Sequence, residues 1–166
     1  TRVKMYLSEV HGRGGIYAKV VAASIANGIP IYTLETKAPK FIDAEFEKHR
    51  MLSSNSSSSR AIPFKPLDDT YLPFDVRENQ KGMQGFENIS ERDLEHLRYL
   101  LEDMYQSNFI SLVQWSQKVH KQHLNRYLEP WMYQVKVVTA TEWDNFFRLR
   151  LAPDAQPEIQ ELARCM

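Results

Sequence analysis

Arginine and histidine frame a run of serines: His49 and Arg50 precede it, and Arg60 closes the stretch SSNSSSSR at residues 53–60. Several hydroxyls and backbone amides beside guanidinium groups form a donor set suited to phosphate oxygens or to the carbonyls of a pyrimidine ring. By composition alone the same serines read equally well as a linker, because their hydroxyls compete for backbone hydrogen bonds and favour loop or cap geometry. Arg126 and Arg150 stand beside apolar residues on expected helices, where partial burial would call for an anion. A ligand would supply one, and so would an ion pair with Glu129, Glu142 or Glu158. Asn145, set between Trp143 and Phe146, either satisfies a buried neighbour or faces a ligand.

Other chemistries find less support. His120 and His123 are spaced to share a helix face, but no third ligand completes a recognisable zinc pattern, so no metal is expected. GRGG at 12–15 lacks the strand and spacing of a dinucleotide fingerprint or a P-loop and reads as a turn. The aromatics of WDNFF, at helical spacing, belong to a core rather than a stacking platform. The single cysteine, Cys165, sits in no catalytic motif, which argues against chemistry needing an internal thiolate.

The elements that must position these residues fit one domain over 1–166, since 166 residues at 43% hydrophobic build one ordinary core. Lys plus Arg and Asp plus Glu balance at 21 each, so no global field points to nucleic acid or an anionic membrane. No segment has the length to span a bilayer or the pattern of a signal peptide, and the lone cysteine fits a reducing compartment, so a cytoplasmic location is expected. The chain starts at Thr1 and its last segment, PEIQELARCM, stops inside an expected helix, which suggests truncation at the C-terminus.

Residues 29–36, IPIYTLET, alternate as a strand, and a short helix is expected from Lys40 to about Leu52, with His49 and Arg50 near its end. Residues 63–88 form a long irregular connection containing NQKGMQG. Ser90 and Asp93 form a capping box before the longest helix, whose apolar positions run Leu94, Leu97, Leu101, Met104, Ile110 and Val113. A second helix spans roughly 119–129 and is closed by Pro130; a buried strand follows at 135–139. Thr141 with Asp144 is expected to cap a helix bearing Trp143, Phe146, Phe147 and Leu149, and Asp154 to start the last one.

The segment KAPKFIDAEFEKHRMLSSNSSSSRAIP, residues 37–63, resembles the signature of the flavin-dependent thymidylate synthases (ThyX), written R-H-R, seven residues, then Ser; His49, Arg50 and Ser58 keep that spacing. The resemblance continues through NQKGMQ at 79–84, HLNRYLEPW at 123–131, VVTATEWDNFFRLR at 137–150 and AQPEIQELA at 155–163. It implies an α+β fold, a mostly antiparallel sheet packed with helices, assembled as a homotetramer. The implied reaction is reductive methylation of dUMP to dTMP, with methylenetetrahydrofolate as carbon donor, FAD as redox cofactor and NADPH as reductant. A thymidylate synthase without a cysteine nucleophile agrees with the isolated Cys165.

By the same resemblance, His49, Arg50, Asn55 and Asn145 correspond to FAD contacts, and Ser58, Arg60, Arg126, Arg150 and Gln156 to dUMP-binding positions. Arg60 and Arg126 would hold the phosphate, and Arg150 would act catalytically by stabilising charge on the pyrimidine carbonyl as C5 becomes nucleophilic. Ser58, with no adjacent base in its motif, is assigned binding rather than attack. Lys48 departs from the signature at its first arginine, Ser56 stands where many members are acidic, and Thr139 and Thr141 replace Asn and Arg. No histidine precedes the signature in the place some members use for folate. A related C5 hydroxymethyltransferase and an inactive nucleotide-binding homologue are the competing readings.

Overall fold

A computed structural model describes residues 8–81 and 85–166, arranged around a five-stranded sheet. In chain order the elements are β1 (Glu9–His11), β2 (Tyr17–Ala26), β3 (Ile29–Pro39), α1 (Asp43–Phe46), β4 (Ser53–Ser56) and α2 (Glu91–Val113). There follow α3 (Lys121–Arg126), β5 (Tyr133–Ala140), α4 (Asp144–Arg150) and α5 (Pro157–Cys165). The spatial order is β1-β2-β3-β5-β4 and every pairing is antiparallel, so the α+β class is as expected. β2 and β3 form a hairpin whose turn, Asn27–Gly28, has φ of 52° and 79°, the left-handed geometry that tight hairpin turns favour.

Register puts one row of side chains inward. Leu34 opposes Val138, Thr36 opposes Lys136 and Ala38 opposes Gln134, all six buried. On that face α5 packs against β2 and β3, and Ile159 and Leu162 join Ile16, Ile42, Phe46 and Phe146 in the main core. A second cluster gathers Tyr105, Leu128, Trp131 and Met132, with Phe64 and Phe109 packed on it, and ties α2 to the segment before β5.

Ser90 caps α2 as expected, its hydroxyl accepting from Asp93 N at 3.1 Å. The helix buries a narrow stripe in which Leu94, Leu97, Leu101, Tyr105, Phe109 and Leu112 recur every three or four residues. Met104, Ile110 and Val113 fall off that stripe and stay exposed, contrary to the sequence reading. Trp131 donates to Leu101 O at 2.9 Å, which helps fix the helix over the second cluster.

Other expectations change. The helix from Lys40 is a 3-10 turn followed by α1, which ends at Phe46, so His49 and Arg50 sit in the turn beyond it. Residues 53–56 of the serine run are not loop but strand β4. α3 ends at Arg126, and Pro130 lies inside a separate 3-10 turn, Glu129–Trp131, because its missing N–H is tolerated in a first turn. β5 is longer than expected and buried on one face only, with Val135 and Val137 exposed. Thr141 makes no cap for α4, and α5 begins at Pro157 rather than at Asp154. Within NQKGMQG, residues 82–84 lie outside the described residues.

Candidate functional site

Serines form β4 because the open edge of β5 satisfies their backbone: Ser53 pairs with Thr139, Asn55 with Val137 and Ser56 with Lys136. Under the strand lies Lys136, whose inward position on β5 leaves it 4% exposed. Its ammonium meets Asp43 Oδ1 at 2.6 Å and also Glu47, and it lies over the Phe46 ring at 5.0 Å. Glu47 in turn accepts from Ser54 Oγ at 2.8 Å, so a buried charge, α1 and the serine strand are joined. Hydrogen bonds from Lys136 and Ser54 outweigh burial and hold the Glu47 carboxyl below its ordinary value.

The chain after β4 is pinned by side chains from four other elements. Gln134 Nε2 donates to Ser57 O at 3.2 Å, and Asn125 Nδ2 donates to Ser59 O at 3.0 Å and Ile62 O at 3.2 Å. Buried Ser59 donates to Glu129 Oε1 at 2.7 Å while accepting from Lys40 Nζ at 2.9 Å, and Lys40 also reaches Glu129 at 2.7 Å. Burial pushes the Glu129 carboxyl up, but the Lys40 and Ser59 contacts, with the charges of Lys40 and Arg126, bring it below its usual range. A segment held this way is a fixed loop and not a linker.

That loop lines a cavity of about 620 Å³. Ser58, Arg60 and Arg126 are gathered on its wall with Lys40, Asp43 and Glu129. Lys40 is paired with Glu129 and Asp43 with Lys136, so those charges are internally compensated. Arg60 makes one hydrogen bond, Nε to Gln122 Oε1 at 3.2 Å, and neither Arg60 nor Arg126 forms an ion pair among the described residues. Both are exposed, which corrects the expectation that Arg126 is half-buried. The wall therefore presents two guanidinium groups with unspent donors. An adjoining chamber of about 820 Å³ shares Lys40, Asp43, Arg126 and Glu129, and adds Gln156 with the aromatic side chains of Phe41, Tyr71 and Trp131.

A third cavity, about 540 Å³, lies before β4, between the turn at 48–52 and the start of α4. His49, Arg50 and Asn145 line it together. His49 is 7% exposed and stands edge-on to the Phe146 ring at 5.0 Å. Its Nε2 accepts from Arg150 Nε at 2.8 Å, and Arg150 also donates to Glu45 Oε2 and Glu45 O, each at 2.9 Å. Arg150 is thus half-buried as expected, but its ion-pair partner is Glu45 instead of Glu129, Glu142 or Glu158. Asn145 Oδ1 accepts from Arg148 at 2.8 Å, and the Asn145 amide N–H groups have no partner among the described residues.

The structure thus groups Ser58, Arg60 and Arg126 around one cavity, places Gln156 in the next chamber, and groups His49, Arg50 and Asn145 around another. Arg150 stands with His49 and not with the serine loop, and Asn55 is exposed on β4 and lines neither cavity. Of the residues that hold the others, sequence reading missed Lys40, Glu45, Glu47, Asn125 and Lys136 and named Glu129 only as a candidate partner for an arginine. Only Lys136 carried a signal, as a lysine inside the valine-rich YQVKVVTA.

Acid sensitivity follows from these contacts. Burial, then the Arg150 charge, lowers the His49 pKa below its ordinary 6.5 against the opposing pull of Glu45. The unfolded chain then binds a proton that the folded one refuses, so this stabilisation is complete above pH 6.5 and is lost as pH falls through the folded value. Glu45, Glu47 and Glu129, all lowered from 4.5, give the same sign further down. Thermal melts across pH should show a midpoint that declines below pH 6.5 and declines again below 4.5; a midpoint that rises on acidification would contradict these pairings.

A family model described as thymidylate synthase complementing protein matches residues 28–166. The flavin-dependent thymidylate synthase of Thermosipho africanus is 28% identical over 144 residues, covering 80% of this chain and 60% of that protein. That of Thermosipho melanesiensis is 28% identical over 139 residues, covering 80% of this chain and 59% of its own. The chain therefore spans about 60% of the length of these curated relatives. A crystal structure of the UMP/dUMP methylase PolB from Streptomyces cacaoi, bound with 5-Br UMP, superposes with a TM-score of 0.75 at 17% identity, covering 93% of this chain and 88% of that one. This likeness shows a shared fold. With the matched segment running from the β2–β3 turn through the serine strand to the end of α5, the chain belongs to the thymidylate synthase complementing protein family, that of the flavin-dependent thymidylate synthases.

Proposed function

We propose that this chain binds dUMP in the serine-loop cavity and FAD in the cavity before β4, and reductively methylates dUMP to dTMP with methylenetetrahydrofolate and NADPH. The observation that carries the reading is the pinned loop with Ser58, Arg60 and Arg126 on one wall, both arginines without an ion pair among the described residues. A dianionic phosphate answers that surplus of donors and charge, and Arg guanidinium forks match its geometry. Sugar and base extend from there into the adjoining chamber, where Gln156 offers an amide.

The cavity before β4 suits an anionic cofactor rich in acceptors. Arg50 is exposed with no ion pair among the described residues, Asn145 has free amide hydrogens, and His49 contributes an imidazole. Arg50 would take the phosphate charge, Asn145 and His49 would orient the ring system, and Phe146 behind His49 would keep water from that wall. A bound flavin supplies the hydride that completes the methyl group. The two cavities lie before and after one short strand. Arg150 stands with the flavin group, and we assign its contact with dUMP to a subunit boundary in a homotetramer. Apolar residues on the open side of α2, Tyr99 at 68% and Ile110 at 62% exposure among them, support self-assembly. No helix among the described residues is long and apolar enough to cross a membrane, and buried, reduced Cys165 suits the cytoplasm.

The test is product analysis after incubation with dUMP, FAD, methylenetetrahydrofolate and NADPH. dTMP is expected. Hydroxymethyl-dUMP would replace methylation by hydroxymethyl transfer, and bound FAD and dUMP without NADPH oxidation would leave a binding protein.

A further inference from the structure

His49 is held by a donor that cannot accept. Arg150 Nε lies 2.8 Å from His49 Nε2, and a guanidinium offers hydrogens only, so the ring nitrogen facing it carries none. The carboxylate and carbonyl of Glu45 fix the other two guanidinium nitrogens at 2.9 Å, which leaves Arg150 little freedom to turn away. Burial and the Arg150 charge both disfavour the imidazolium, so the ring is neutral with its proton on Nδ1. Nδ1 has no partner among the described residues. Among the described residues the fully enclosed side-chain atoms without partners are Asp75 Oδ1, Trp143 Nε1 and Glu158 Oε2, and His49 Nδ1 is not one of them. It therefore remains open to the cavity that His49 lines.

We infer that Arg150 is a positioning residue that locks His49 as its Nδ1–H tautomer, so that the imidazole presents a permanent hydrogen-bond donor to the cavity before β4 and selects an acceptor atom, a carbonyl oxygen or ring nitrogen, on the ligand there. Other charged groups around the ring are Glu45 behind Arg150, Lys48 and Arg50 in the same turn, and Glu142 and Asp144 on the opposite wall. None of these donates to or accepts from the imidazole, so the tautomer is set by Arg150. The identity of the ligand as flavin rests on the proposed function; the tautomer does not.

Nitrogen-15 NMR of the ring-labelled chain separates the two. With His49 assigned by His49→Asn, the expected spectrum at neutral pH is a neutral ring protonated on Nδ1, and an Nε2–H ring or an imidazolium would overturn the inference. FAD addition should then shift the His49 Nδ1–H resonance. Flavin bound, as read by its absorbance, with that resonance unmoved would reduce His49 to a structural residue and overturn the donor role. No flavin binding would count against the proposed function while leaving the tautomer result standing. Arg150→Lys, which like arginine offers hydrogens only, should retain the Nδ1–H form; Arg150→Met should lose it and weaken FAD binding by about tenfold, of the order expected for one hydrogen bond. If Arg150→Met does not fold, the wild-type spectrum and the Lys variant decide the matter.

Discussion

Arg60→Ala should weaken dUMP binding by about 10- to 100-fold while changing FAD affinity only a few-fold. A hydrogen bond to a charged group contributes roughly 1.5–3 kcal/mol, and each 1.4 kcal/mol is about a factor of ten in affinity. Nothing structural should offset or mimic the loss, because Arg60 is exposed and its single bond is to Gln122, while the loop is pinned by Ser59, Asn125 and Gln134. Asn145→Ala should show the reverse pattern, about 2- to 10-fold weaker FAD binding with dUMP binding kept, since a neutral hydrogen bond contributes roughly 0.5–1.5 kcal/mol. Titration calorimetry with each ligand reads both variants. Equal losses of both ligands in either variant would contradict two separate cavities.

Lys136→Ala should be the most destabilising single change at the site. Removing the ammonium leaves Asp43 and Glu47 facing each other beneath β4 without the cation that holds them, and it empties the space over the Phe46 ring. Breaking a buried pair from one side costs about 3–5 kcal/mol, and the low end applies because both carboxylates retain contact with water. Lys136→Met should recover part of the loss by filling the volume. Urea denaturation measures this directly, and a change under about 1 kcal/mol in Lys136→Ala would show that the ammonium does not hold α1 to the sheet.

The motif-bearing residues were legible because their spacing is local: His49, Arg50, Ser58 and Arg60 lie within one short stretch. What holds them was not. Glu129, Lys40 and Asn125 reach the serine loop from segments distant in the chain, and no local pattern marks such pairings. Within the serine run only residues 53–56 depart from the expected loop, because their intrinsic preference for turns is overridden by the free edge of β5, a tertiary effect. β2 was overlooked since YAKVVAASIA places small apolar residues on both faces and so lacks alternation, although Asn27–Gly28 does carry a hairpin signal. Pairing of Arg150 with Glu45 was equally out of reach, for the two stand 105 residues apart.

We place flavin and nucleotide in cavities at the two ends of a four-residue strand. The visible absorption spectrum of the purified chain, titrated with FAD and then with dUMP, tests that placement most directly. A saturable change in the flavin bands on FAD binding, followed by a second perturbation when dUMP is added, is the expected result. A flavin spectrum identical to that of free FAD throughout, or dUMP binding to which a bound flavin does not respond, would contradict it.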